Sequence, residues 1–185
     1  MEKILAMLLD FTDPKRRDQI KPWQAALFFV GVQTISRLFV SGKETTDYIK
    51  GQKKPKWSPP DAAFPIVWTL NNLANVLGSM RVINLPKNFP NRDKVRTLQL
   101  CMWAMILFFG LVAFRWKSPW IGALFTAAVA ACGSAIIALT WDYDKKIAYS
   151  ILPTTLWTLF AAPLGIDVAM RNQDDLLHIP AVRSN

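Results

Sequence analysis

Five apolar runs decide what this chain can become. They cover residues 23–40, 62–85, 98–114, 120–140 and 147–170, and the prolines and charges fall mostly between them. The hydrocarbon core of a bilayer takes about 20 apolar residues in helical form. Inside it only helices and closed barrels satisfy their own backbone groups. The period-two alternation of a barrel strand is absent. The pattern therefore predicts an all-α membrane protein, a bundle of five transmembrane helices. Trp23, Trp57, Trp116, Trp120 and Trp141 stand at the ends of the runs, where indole rings anchor at the headgroups.

The first residues read differently. Ile4, Leu5, Leu8, Leu9 and Phe11 share one helical face, but Asp10 and Asp13 interrupt an apolar run too short for a signal sequence. A short amphipathic helix on the membrane surface is expected, with Lys15, Arg16 and Arg17 at the headgroups. The organisation is thus an interfacial segment over residues 1–21, a five-helix domain over 22–172 and a tail over 173–185. An odd number of spans puts the termini on opposite faces. With Arg37 set aside inside the first run, the other basic residues divide 12 to 9 between the two sides, too evenly for loop charge to set the orientation.

A net charge of +9 in a soluble protein would point to nucleic acid. Here the lysines and arginines flank the apolar runs, no basic recognition motif accompanies them, and membrane lipids are the expected partners instead. Cys101 and Cys132 lie inside apolar runs without metal-ligand spacing and read as buried thiols. His178, the one histidine, is in the tail, so no metal site is expected. No nucleophile–base pair, phosphate loop or paired carboxylates appear, and an enzyme is not expected.

The second run carries polar residues where lipid-like side chains would serve. Trp68, Asn72, Asn75 and Ser79 are three or four residues apart and share one face, with Asn71 beside them. Such a face meets another helix or a cavity rather than lipid. Interhelical hydrogen bonding, worth on average about 0.6 kcal/mol per contact, and a ligand pocket both satisfy that demand. Arg37 and Asp167 are charges inside spans, near the same membrane side. They either pair or extend separately to the headgroups, and the second is favoured for Arg37.

The stretch after the first run reads Lys54, Pro55, Trp57, Pro59, Pro60, followed by Phe64, Val67, Trp68 and Thr69. Phe108, Phe109 and Gly110 lie in the third run. Pro153, Trp157, Phe160, Ala161, Leu164 and Asn172 mark the fifth. In these residues, over roughly positions 20–172, the sequence resembles the translocator protein family, also called tryptophan-rich sensory proteins (TspO/MBR). It departs from the family's pattern at Asn71 and Asn72, at Val76, Thr154, Gly165 and Ala169, and in the third run at Cys101 and Trp103. The sterol-recognition pattern of the animal proteins is absent.

The resemblance implies five helices with the first loop folded over a cavity at the helix ends. It implies a protein that binds porphyrins or similar flat hydrophobic ligands, in transport, sensing or turnover. A haem-like molecule or sterol would be a ligand, with no obligatory cofactor. The candidate ligand contacts are Trp57, Pro59, Pro60, Phe64, Trp68, Asn72, Asn75, Trp103, Thr154 and Trp157. The contrasting reading is a non-catalytic subunit of a respiratory or photosynthetic membrane complex, its pocket remodelled. Homodimerisation is a further expectation, and the membrane is left open between organellar and bacterial.

Overall fold

The computed structural model describes residues 20–183. The surface helix expected within residues 1–21 falls outside them, except for Ile20 and Lys21, which lead into the first span. Six α-helices follow in order: α1 Pro22–Val40, α2 Lys43–Gly51, α3 Ala63–Ile83, α4 Arg92–Gly110, α5 Pro119–Thr140 and α6 Lys145–Arg171. A π-helical turn, Leu111–Arg115, continues α4.

Each boundary has a local cause. Pro22 opens α1, and Gln24 Oε1 accepts the Lys21 backbone N–H at 2.8 Å. Pro59 and Pro60 stop any backward extension of α3. The last carbonyls of α3 and the turn after it are met by cations from α4. Arg92 donates to Leu85 O, and Arg96 to Val82 O and Ile83 O. The α5 helix begins at Ser118 and Pro119, and α6 at Asp144, whose Oδ1 accepts from Lys146 N at 3.0 Å. Pro153 and Pro163 lie within α6, as a spanning helix tolerates when its neighbours satisfy the freed carbonyls.

Four of the long helices are apolar enough to be recognised as membrane spans by hydropathy, α4 counted with its π turn. The other, α3, has 21 residues, about 31 Å at 1.5 Å per residue, and is long enough to cross. Asn71, Asn72, Asn75, Ser79 and Arg81 lower its hydropathy, and the four uncharged ones are buried against other helices. The five-span bundle holds. The α4 helix starts at Arg92, six residues before the expected 98, because its polar first turns lie beyond the apolar run.

The bundle is built on α5 and α6, its most extensive pair. Small residues bring the backbones together. A Cβ placed on Gly133 would lie 2.2 Å from Thr155 Oγ1, and one on Gly122 would lie 2.8 Å from Ala113 Cβ. By contrast α1 is peripheral, with only Ala25 and Val32 buried. Leu27, Leu70, Leu100, Leu124 and Leu156 point outward, an apolar belt that suits lipid. Trp23, Trp116 and Trp141 are exposed at helix ends, and Trp57 is exposed on the loop before α3. Cys101 is exposed as well and Cys132 only half-buried. This corrects the expectation of two buried thiols: Cys101 is on the outward face of α4.

The loop after α1 holds α2, which the apolar pattern does not announce. It is pinned from outside the bundle by Lys117, whose Nζ is 2.7 Å from Glu44 Oε1 and 5.9 Å from the Tyr48 ring. That hydrogen bond and charge lower the Glu44 pKa and raise that of Lys117.

Candidate functional site

The segment after α2 is tied down where the chain needs it. Asn172, just past α6, accepts from Lys53 N and donates to Lys53 O, both at 2.9 Å. Such a two-way bond fixes an extended strand of loop as a neighbouring strand would. Four residues later the loop lays Trp57 against α6, with its ring 5.9 Å from Phe160. Its Nε1 donates to Asp167 Oδ2 at 3.3 Å. Asp167 is also the acceptor for Arg171 Nε at 2.9 Å and Arg183 Nη1 at 3.2 Å. Asp167 therefore pairs with these two arginines and not with Arg37, which is exposed near the end of α1.

A cluster of aromatic rings lies under this loop. Phe64, from the first turn of α3, is 5.7 Å from Trp157, and Trp157 is 5.5 Å from Phe160. Two of these three ring contacts, Trp57–Phe160 and Phe64–Trp157, are edge-to-face, a favoured geometry for such pairs, and Trp157–Phe160 is tilted. Trp157 Nε1 is buried and finds no acceptor among the described residues. Pro59 is half-buried and Pro60 exposed on the loop above. Beside the cluster is a cavity of about 540 Å³, lined by Lys53, Lys54, Pro55, Lys56, Trp57, Asp167 and Arg171. Its wall carries four cations and one carboxylate. Lys54 is engaged with Asp61 at 2.5 Å.

The remaining candidates form a second, deeper group. Asn75 Nδ2 donates to Thr154 Oγ1 at 2.8 Å, joining α3 to α6, with both residues fully buried. Asn72 Nδ2 donates to Gln33 Oε1 of α1 at 2.9 Å. Ser79 Oγ accepts from Gln99 Nε2 at 2.8 Å and Trp103 Nε1 at 2.7 Å, both on α4. The α3 polar face is thus a ladder touching α1, α6 and α4 in turn. Trp68 is partly buried against the core beside it. Asn71 Nδ2, Asn72 Oδ1, Asn75 Oδ1 and Gln99 Oε1 are buried without hydrogen-bond partners among the described residues.

The ten sequence candidates therefore do not form one wall. Trp57, Phe64 and Trp157 meet under the loop. Asn72, Asn75, Thr154 and Trp103 belong to the ladder. Trp103 bonds Ser79, fifteen residues along α3 from Phe64, about 22 Å of helix. Sequence reasoning passed over Gln33 and Gln99, whose signal was a lone amide in an apolar run. It also did not place Asp167 and Arg171 beside Trp57. No local pattern joins residues 110 positions apart.

The long apolar helices and their packing define an integral, multi-pass membrane protein of the helical-bundle type, with its first loop held across one end. The family model described as "TspO/MBR family" matches residues 25–171, and the chain belongs to that family. A similar protein is Protein CrtK of Rhodobacter capsulatus, 25% identical over 125 residues, which cover 63% of this chain and 72% of the relative.

Proposed function

We propose that this protein binds a porphyrin or a similar flat, anionic hydrophobic ligand at the loop-covered end of the bundle, for transport, sensing or turnover, without catalysis of its own. The supporting observation is the cavity of about 540 Å³, whose cationic wall adjoins the Trp57–Phe160–Trp157–Phe64 cluster. The rings supply apolar and π surface to a macrocycle. Lys53 and Lys56 supply charge for its carboxylates. The unpartnered Trp157 N–H adds a donor inside the cluster.

Protoporphyrin IX titrated into the detergent-solubilised chain tests this reading. Saturable quenching of tryptophan fluorescence is expected, together with weaker binding of the dimethyl ester. Trp157→Leu should lower affinity several-fold, since aromatic pairs contribute about 0.5–1.5 kcal/mol beyond area burial and 1.4 kcal/mol is tenfold. Linear, non-saturating quenching equal for the acid and the ester would refute it.

One observation favours the second reading, a structural subunit of a larger membrane complex. The α3 face that would line a deep pocket is bonded to α1, α4 and α6 instead. Co-migration with a large assembly after mild solubilisation, without bound pigment, would support that reading.

A further inference from the structure

The family match ends at residue 171, yet the chain continues in a defined path back over the loop end of the bundle. Asp174 is fully buried. Its Oδ2 accepts from Ser118 Oγ at 2.7 Å and Trp120 N at 3.1 Å, at the start of α5. A turn closes between Asp174 and Ile179, with His178 in the left-handed region at φ 55°. At its far end Val182 N and Arg183 N donate to Met170 O at 2.8 and 2.9 Å. The segment is therefore fixed at two points, and the second fixes where the Arg183 side chain starts.

That side chain reaches Asp167 Oδ1 at 3.2 Å, while Oδ2 of the same carboxylate receives Trp57 Nε1. We infer that the C-terminal segment, residues 174–183, positions the first loop: Arg183 holds Asp167 in the orientation that keeps Trp57 over the aromatic cluster, and so sets how often the site opens. The inference rests on reading that cluster as a binding site. Arg171, on the same helix as Asp167, orients the carboxylate from within α6. Of the three contacts Asp167 makes among the described residues, that of Arg183 comes from beyond the family match. Because the Arg183 side chain is 55% exposed, its hold is modest and salt-screened.

Native-state cleavage by trypsin after Lys56, followed by the mass of the released fragment, reads the open population directly. Arg183→Ala should raise that rate about two- to five-fold, as expected for an exposed ion pair. Asp167→Ala, which loses all three contacts, should raise it further. Arg183→Lys should restore the wild-type rate in part. In 1 M salt the wild type should approach Arg183→Ala, and the variant should barely respond. The protoporphyrin IX dissociation rate should rise in parallel. Faster cleavage without saturable porphyrin binding would uphold the positioning role and defeat the binding reading. A normally folded Arg183→Ala protein that is cleaved and releases porphyrin at wild-type rates would overturn the inference, whatever Asp167→Ala does.

Discussion

Replacing Thr154 by valine removes one oxygen from the middle of the bundle and leaves the side-chain shape nearly unchanged. Thr154 Oγ1 accepts from Asn75 Nδ2 at 2.8 Å, and both residues are fully buried. Asn75 Oδ1 already lacks a partner among the described residues, so the variant strands the rest of a buried amide. Interhelical hydrogen bonds in membranes average about 0.6 kcal/mol and reach about 1.7. A stranded buried polar group costs about 1–3 kcal/mol in water-soluble proteins. A helix unfolded within lipid finds other partners, so the lower scale governs, and Thr154→Val should cost about 1–2 kcal/mol. Asn75→Leu should cost less, since the remaining threonine hydroxyl turns to a carbonyl of its own helix. The double variant removes both ends and should fall near wild type, so the coupling in the cycle should equal the summed single costs, about 1–3 kcal/mol. Reversible unfolding in mixed micelles, followed by circular dichroism, measures all four corners. Porphyrin affinity should stay within about twofold, because Trp157, one turn along α6 from Thr154, packs on Phe64 and Phe160 and not on the Asn75–Thr154 pair, and 1.4 kcal/mol is needed for tenfold. Zero coupling, with Thr154→Val as stable as wild type, would refute the ladder as packing and place these residues against a ligand- or water-filled space.

Gly133→Ala should destabilise by about 1–3 kcal/mol, since the new methyl meets Thr155 across α5 and α6; Gly31→Ala, with nothing within 4 Å, should be neutral or slightly stabilising in the same unfolding assay. Asp174→Ala should lower the thermal midpoint in detergent, with a cost of about 1–2 kcal/mol for the lost helix cap, whereas Asp175→Ala should not, being exposed. The Glu44–Lys117 contact predicts how α2 docking responds to pH, read as amide exchange in α2. The lowered Glu44 pKa stabilises fully above about pH 4.3, and that part is lost as pH falls through the lowered value. The raised Lys117 pKa stabilises fully below about pH 10.4, and its part is lost as pH rises through the raised value. Protection in α2 should therefore be flat between these limits and weaken on either side.

Length and hydropathy are local properties, so five spans, their order and their tryptophan-marked ends followed from the residues alone. So did the turn at Pro59 and Pro60, because a proline ring obstructs the preceding turn whatever surrounds it. The Trp57 and Trp68 motif carried the family, and with it the idea of a loop-capped end. The face each helix turns to its neighbours was not legible in the same way. In water, apolar residues mark the buried face; in lipid, both faces are apolar, and Cys101 went outward from a run that predicted burial. Polar residues restored some of that information, which is why the α3 ladder was visible in outline. Its partners were not: Asn75 meets Thr154 79 positions away, and Asn72 meets Gln33 39 positions back. Asp167 was visible as a charge in a span, but sequence left it between Arg37 and solvent. Packing of the loop and the C-terminal segment gave it Trp57, Arg171 and Arg183. Only the tertiary structure made that choice, because it brings segments more than a hundred residues apart, the first loop and the stretch after α6, to one carboxylate.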